Sequence, residues 1–97
     1  MISRNPSTVW TKLEGNVVLL NVELGRYFEA NALGSLIWEL LDEPRTAADI
    51  VERIVARYRV DREQCHADVS KFLAALAESG LLAREEAAPD LARTSSE

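Results

Sequence analysis

The sequence predicts an α+β domain of winged helix-turn-helix-like type, with a three-stranded antiparallel sheet followed by three helices. Up to residue 30, apolar and polar side chains alternate in short runs, which is the side-chain period of strands. From residue 32 onward, apolar side chains recur every three or four residues, which is the period of a helix with one buried face. Only "RVD" separates the second and third predicted helices, and such a short connection is typical of a helix-turn-helix.

The predicted sheet is a meander of three strands joined by tight turns. β-branched, aromatic and other apolar residues favour strands, and the predicted strands cover residues 8–14, 17–23 and 26–30. Gly15, within a Gly-Asn pair, and Gly25, which follows Leu24, mark the two turns. Because both turns are short, neighbouring strands are expected to run antiparallel.

Each predicted helix begins after a residue whose side chain can accept a hydrogen bond from a free backbone N–H. These N-cap residues are Asn31, Thr46 and Asp61. Pro44 ends the first helix and Gly80 ends the third. The side chains expected to face the core are Leu33, Leu36, Ile37, Leu40 and Leu41 in the first helix, Ala47, Ile50, Val51, Ile54 and Tyr58 in the second, and Cys65, Val69, Phe72, Leu73 and Leu76 in the third.

The length of 97 residues suits one domain with one modest core. We expect a flexible N-terminal arm over residues 1–7, a folded domain over residues 8–83 and a disordered C-terminal tail over residues 84–97. No apolar run is long enough to span a bilayer, and no signal-peptide pattern is present. Together with a single cysteine, these features predict a cytoplasmic protein with no membrane partner.

The sequence offers no catalytic set of residues. Cys65 and His66 are neighbours, so on a helix they point about 100° apart and cannot act as a nucleophile and its base. We expect Cys65 to be buried and His66 to be exposed. Neither metal-ligand spacing nor a phosphate-binding glycine-rich loop is present. The sequence therefore predicts a protein that is not an enzyme and needs no metal or cofactor.

The charge balance opposes a nucleic-acid partner. The net charge is -5, whereas nucleic-acid binding relies on Lys and Arg to neutralise phosphates. Acidic and basic side chains also balance on the outward face of the third helix, which would be the recognition helix; its outward residues include Arg62, Glu63, His66, Asp68, Lys71 and Glu78. A winged-helix DNA-binding regulator nevertheless remains the alternative function, and dimerisation through a sheet edge is a third.

At family level, the stretch "VVLLNVELGRYFEANALGSLIWELLDEPRTAADIVERIVARY", followed by "DVSKFLAALAESGLL", resembles the PqqD-like family of RiPP recognition elements. RiPPs are ribosomally made, post-translationally modified peptides. The resemblance covers residues 13–82. The matching features are, in chain order, an aromatic pair after a glycine, an Asn at the strand-to-helix junction, a small residue and Gly34, the pattern "IW-LL", a second helix that begins with Thr, and the pattern "DV--FL--L---GLL". The resemblance implies a fold of three strands packed on three helices. It also implies that the protein binds the leader segment of a precursor peptide and catalyses no reaction.

The subfamily is indicated by the segment around the third strand. Where PQQ-biosynthesis members carry a Leu-Pro-Glu-Gly-like stretch, this chain has "LNVELG". The length and the form "GRYFEAN" resemble the stand-alone split B proteins of lasso-peptide clusters. The resemblance implies two partners: the leader of a precursor peptide, and a separate leader peptidase (a cysteine protease) or another modifying enzyme.

The expected binding site combines the third strand with the third helix. The third strand is the last in the meander, so one of its edges can accept a peptide by strand addition. The expected peptide-binding residues are Arg26, Tyr27, Phe28, Glu29 and Ala30 on the strand, and Asp68, Val69, Phe72, Ala75 and Leu76 on the helix. Phe28 and Ala30 should face the core. The sequence leaves open whether the groove lies on the Asp68 and Ala75 flank or on the Arg62, His66 and Leu73 flank. Trp38 is expected to pack under the sheet.

Overall fold

Three antiparallel strands precede three helices in the computed structural model, which describes residues 1–83. The elements are β1 (Thr8–Leu13), β2 (Asn16–Asn21), β3 (Arg26–Glu29), α1 (Ala32–Leu40), α2 (Ala47–Arg57) and α3 (Arg62–Glu78). The strand order in the sheet is β1-β2-β3. The predicted α+β order is therefore confirmed, whereas the tail predicted over residues 84–97 lies outside the described residues. Among the described residues, no helix combines the length and the apolar content that crossing a membrane requires.

The turn between β1 and β2 is one residue earlier than the predicted Gly-Asn pair. Leu13 pairs with Asn16, so the two turn residues are Glu14 and Gly15, with φ angles of 54° and 90°. Two consecutive positive φ angles are characteristic of a type I′ hairpin turn, whose twist matches that of the flanking strands. Asn16 consequently belongs to β2.

All three predicted N-caps are confirmed. Asn31 Oδ1 accepts a hydrogen bond from Gly34 N at 2.8 Å. Thr46 and Asp61 accept the corresponding bonds at the starts of α2 and α3. At the other end of α3, Gly80 has a φ of 73°. The backbone N–H of the residue after it donates across the turn to Leu76 O at 2.9 Å, which gives α3 a Schellman-type end.

The predicted inward face of α1 packs against the core, but its residues are buried unequally. Ile37 and Leu41 are buried, whereas Leu33, Leu36 and Leu40 pack against the core and are half-buried. The buried residues of α1 also include Gly34, Ser35 and Trp38, of which Gly34 and Ser35 were not predicted. The small residues are buried because they contact the other elements: the Ser35 hydroxyl accepts from Val17 N at 2.8 Å and donates to Ala30 O at 3.4 Å. The expected burial of Trp38 is confirmed.

Tyr58 is a second exception to the predicted core. It was expected on the inner face of α2, but α2 ends at Arg57 and Tyr58 has extended φ and ψ angles of -127° and 151°. Its side chain is 46% exposed. The remaining inward residues of α2 and α3 form one core with β2, and Cys65 lies inside it while His66 is exposed, as predicted.

The N-terminal segment contacts the folded domain. Ile2 exchanges two backbone hydrogen bonds with Arg45, of 2.7 and 2.9 Å, and Asn5 N donates to Leu81 O at 3.0 Å. The guanidinium carbon of Arg4 lies 4.5 Å from the ring centroid of Trp38, within cation–π range. The sequence pattern did not indicate this docking because most of the contacts involve the backbone. The predicted flexibility of residues 1–7 stays a prediction.

Candidate functional site

Within residues 1–83, one edge of β3 pairs with no other strand. The register pairs Phe28 with Leu19 and Glu29 with Val18 on β2. Ala30 N donates to Val17 O at 2.9 Å, so Ala30 and Val17, which follow Glu29 and Val18 in the register, form a hydrogen-bonded pair. Because hydrogen-bonded and non-bonded pairs alternate in an antiparallel ladder, the backbone groups of Phe28 face β2 and those of Tyr27 and Glu29 face the free edge.

The side chains of β3 divide between the two faces of the sheet. Phe28 and Ala30 lie on the inner face, which packs against the helices, as predicted. The Phe28 ring centroid lies 5.7 Å from that of Phe72 on α3, with the ring planes at 77°. This edge-to-face contact is a favourable aromatic geometry. Tyr27, on the outer face, is 65% exposed.

A cleft of about 410 Å³ lies where the end of β3 meets α1 and α3. It is lined by Asn31, Leu33, Gly34, Asp68, Lys71, Phe72 and Ala75. The cleft therefore lies on the Asp68 and Ala75 flank of α3. The opposite flank, with Arg62 and His66, borders a separate cleft of about 300 Å³ against α2 that includes no residue of β3.

The structure brings together some of the predicted site residues and leaves others in the core. Asp68, Phe72 and Ala75 line the cleft beside the strand. Val69 and Leu76, by contrast, are 0% exposed and belong to the core. Residues 26–30 form the adjoining strand and its junction with α1. The role of all these residues in binding stays a prediction.

Several cleft residues were missed in the sequence. Asn31 was identified as a helix cap, Leu33 as a core residue and Gly34 as part of a family pattern, yet all three line the cleft, as does Lys71. The position of Asn31, Leu33 and Gly34 in the sequence could have indicated this, because residues that directly follow a strand with a free edge lie next to any strand added there. Sequence alone does not show which flank of α3 they meet.

Gly34 determines where the Phe72 ring can lie. A Cβ built on Gly34 would lie 2.5 Å from Phe72 Cε1, closer than carbon atoms approach in folded proteins. Only glycine therefore allows the ring to lie against α1 while it also contacts Phe28. The half-buried ring forms the apolar floor between the strand and the cleft.

The charged groups at the site lie at the rim of the cleft. Asp68 Oδ1 accepts a hydrogen bond from Gln64 Nε2 at 3.0 Å, and Lys71 lies beside the Phe72 floor. On the inner side of the same helix, burial raises the pKa of the Cys65 thiol, and the nearby Asp68 charge raises it further. Residues 1–83 contain no cluster of three His, Cys, Asp or Glu side chains that could hold a metal ion. The arrangement is suited to binding an extended chain.

The outer face of the sheet is unusually apolar for a solvent-facing surface. Val9, Leu20 and Tyr27 lie side by side across the three strands and are 56%, 38% and 65% exposed. Leu13, on the same face, is 60% exposed. A contiguous apolar patch of this kind commonly marks a contact with another protein.

A larger open depression, of about 780 Å³, lies between the N-terminal segment, the β2–β3 turn and the end of α3. Its lining residues include Ile2, Leu24 and Leu82 but none from β3. It therefore lacks an adjoining strand edge, and the smaller cleft beside β3 is the better candidate site for a peptide.

Comparisons with known proteins agree with this geometry. A sequence model of the PqqD family, described as coenzyme PQQ synthesis protein D, matches residues 16–82. A solved structure of TbiB1 in complex with the TbiA(beta) leader peptide is 39% identical, with a TM-score of 0.76, and the match covers 91% of this chain and 99% of that one. A structure of lasso peptide synthetase B1 complexed with the leader peptide has a TM-score of 0.74 over 86% of this chain and 98% of that one; at 23% identity the likeness is one of fold. A comparison with curated proteins found no match.

Proposed function

The chain belongs to the PqqD family, and we propose that it binds the leader segment of a ribosomally made precursor peptide by strand addition to β3. The observation that carries this proposal is the free β3 edge beside the α3 cleft, where Tyr27 and Glu29 direct their backbone groups outward. The 39% identity to TbiB1, whose structure contains a leader peptide, supports the same class of ligand.

The geometry supports a binding mode with two components. An added strand can form backbone hydrogen bonds with the N–H and C=O groups of Tyr27 and Glu29, which give affinity without regard to sequence. The side chain opposite Phe28 points to the inner face, toward the cleft floor formed by Phe72. We expect a dissociation constant for the leader from roughly nanomolar to micromolar, which corresponds to a binding free energy of about -8 to -12 kcal/mol.

The direct test is fluorescence anisotropy with a labelled leader, taken from a short precursor reading frame that neighbours this chain's gene. We expect saturable binding in the range given above. A leader that produces no anisotropy change at roughly 100 μM protein, which corresponds to a binding free energy weaker than about -5.5 kcal/mol, would contradict the proposal.

We further propose that the chain presents the bound leader to a separate enzyme, most directly a leader peptidase of lasso-peptide biosynthesis, and cleaves nothing itself. Its one cysteine is 4% exposed and has a raised pKa, which opposes a nucleophilic role. The exposed apolar outer face of the sheet supports a contact with a second protein.

A peptidase assay with and without the chain tests this second step. The chain should accelerate leader cleavage by the peptidase encoded in the same gene cluster, and it should produce no cleavage when incubated with the precursor alone. Equal rates in the presence and absence of the chain would count against presentation. Cleavage by the chain alone would count against the absence of catalysis.

A further inference from the structure

Glu29 is the one charged strand residue on the outer face of the sheet. The registers place eight strand residues on that face, namely Val9, Thr11, Leu13, Asn16, Val18, Leu20, Tyr27 and Glu29. The other seven are uncharged. A carboxylate in this setting is surrounded on its own sheet by neutral side chains, and it lies on the strand whose edge is free.

No cation compensates Glu29 within the described part of the chain. Its cross-strand neighbour on β2 is Val18, and the next residue across the sheet is Thr11. The Tyr27 hydroxyl lies 3.5 Å from Oε1 of Glu29, a contact at the outer limit for a hydrogen bond. Glu29 is otherwise exposed.

We propose that this site selects leaders with a Lys or Arg directly opposite Glu29, an inference that rests on the proposed strand addition. Because the backbone of Glu29 faces the edge, the leader residue opposite it forms a hydrogen-bonded pair, with Cα atoms about 5.5 Å apart if the strands are antiparallel. Its side chain lies on the same outer face as the carboxylate, within reach of a lysine or arginine.

The preference is confined to one leader position. The leader residue next to it has its side chain on the inner face, where Phe28 and Phe72 favour an apolar group. Two positions away, opposite Tyr27, the side chain returns to the outer face beside an exposed aromatic ring. The sheet thus favours a cation opposite Glu29 and an apolar side chain at the next leader position.

The size of the effect follows from cross-strand ion pairs. An opposite-charge pair contributes up to about 1 kcal/mol and a like-charge pair costs a similar amount, which corresponds to about fivefold in affinity for each. Both charges are exposed to solvent, so high salt should reduce the difference. The backbone hydrogen bonds and the apolar contact at the Phe72 floor provide the remaining affinity, and neither changes with the residue opposite Glu29.

The test is a selection of phage-displayed random 16-residue peptides on the wild-type chain, on Glu29→Lys, and on Glu23→Lys as a matched control. Glu23 is an exposed acid in the β2–β3 turn, outside the strands. The wild type and the control should both enrich Lys or Arg at one position of a shared pattern. Glu29→Lys should enrich Asp or Glu at that same position and leave the other positions unchanged. Circular dichroism confirms that each variant is folded.

Anisotropy with one enriched peptide and its charge-reversed form completes the test. Each single reversal removes an attractive pair and creates a repulsive one, so we expect it to weaken binding by up to about 25-fold. The double reversal should restore binding, and 1 M NaCl should reduce the difference. Peptides enriched on wild type and Glu29→Lys with the same charge at every position would overturn the inference and leave leader binding intact. That result would also follow if Glu29 served a partner protein instead. Failure of the wild type to enrich any peptide pattern would overturn leader binding as well.

Discussion

At the scale of single residues, the Gly34 and Phe72 contact connects the stability of the fold with the shape of the site. We expect Gly34→Ala to displace the Phe72 ring, because the new methyl group would lie 2.5 Å from Cε1. Overpacking costs about 1–3 kcal/mol, and the better helix propensity of alanine offsets about 1 kcal/mol of it. Stability in urea should therefore fall by at most about 2 kcal/mol, while leader affinity falls about fivefold or more.

The double variant Gly34→Ala with Phe72→Leu is the control for this prediction. Leucine lacks the ring atoms that the new methyl group would meet, so we expect the double variant to be more stable than Gly34→Ala alone. An affinity unchanged in Gly34→Ala would show that the cleft floor plays no part in leader binding.

Cys65 leads to a prediction about pH. Burial, and then the Asp68 charge, raise the pKa of this thiol, so its ionised form is disfavoured in the folded chain. The contribution of Cys65 to stability is therefore present below the ordinary thiol pKa and is lost as the pH rises through the raised value. Iodoacetamide should label the native chain slowly at pH 8, and the rate should rise when urea unfolds it. Rapid labelling of the native chain at pH 8 would contradict the burial of this side chain.

At the scale of secondary-structure elements, β3 offers a matched pair of tests. Proline has no backbone N–H, but an edge strand tolerates it where the N–H faces solvent. Glu29→Pro should therefore preserve the fold and weaken leader binding by about 1–3 kcal/mol, more than Glu29→Ala does. Tyr27→Pro should behave in the same way.

Phe28→Pro is the contrasting variant, because the Phe28 N–H faces β2 and its loss removes a hydrogen bond within the sheet. We expect it to lower the melting temperature in circular dichroism, where the two outward variants should not. If both outward prolines preserve the fold and the full affinity, the leader does not add to this edge.

The helices illustrate what sequence patterns can and cannot predict. Each N-cap was predicted correctly because capping is local chemistry between residues three apart. The buried face of α1 was predicted incompletely, since the 3.6-residue period identified the apolar residues that pack on the core but not the tertiary contacts of Ser35 and Gly34. A hydrophobic pattern does not indicate that the Ser35 hydroxyl bonds to β2 or that Gly34 lies against the Phe72 ring.

At the scale of the whole molecule, the charge distribution distinguishes leader binding from the DNA-binding alternative. The net charge is -5, and acids such as Glu63 and Glu78 are exposed on α3, where a recognition helix would need a positive surface. We expect no gel shift of random duplex DNA at 50 mM salt with micromolar protein. A shift that disappears as salt is raised would favour the DNA-binding regulator.

The fold and the site differ in how much of them the sequence could predict. The order of elements follows from local periods and turn residues, and the family pattern narrows the ligand class. The sequence does not show which residues of β3 direct their backbone groups to the free edge, because this depends on the register with β2 and on the hydrogen bond from Ala30 N to Val17 O. The choice of flank on α3 likewise depends on tertiary packing, because β3 and α1 adjoin the Asp68 side whereas α2 adjoins the His66 side.

The most direct test of leader addition to the β3 edge is amide hydrogen exchange, measured by NMR with and without saturating leader. We predict that the Tyr27 and Glu29 amides exchange freely in the unbound chain and become at least about tenfold more protected when the leader binds. The Phe28 amide, already bonded to β2, should change little. If the leader binds and neither Tyr27 nor Glu29 gains protection, the leader does not extend this sheet, and the central claim is wrong.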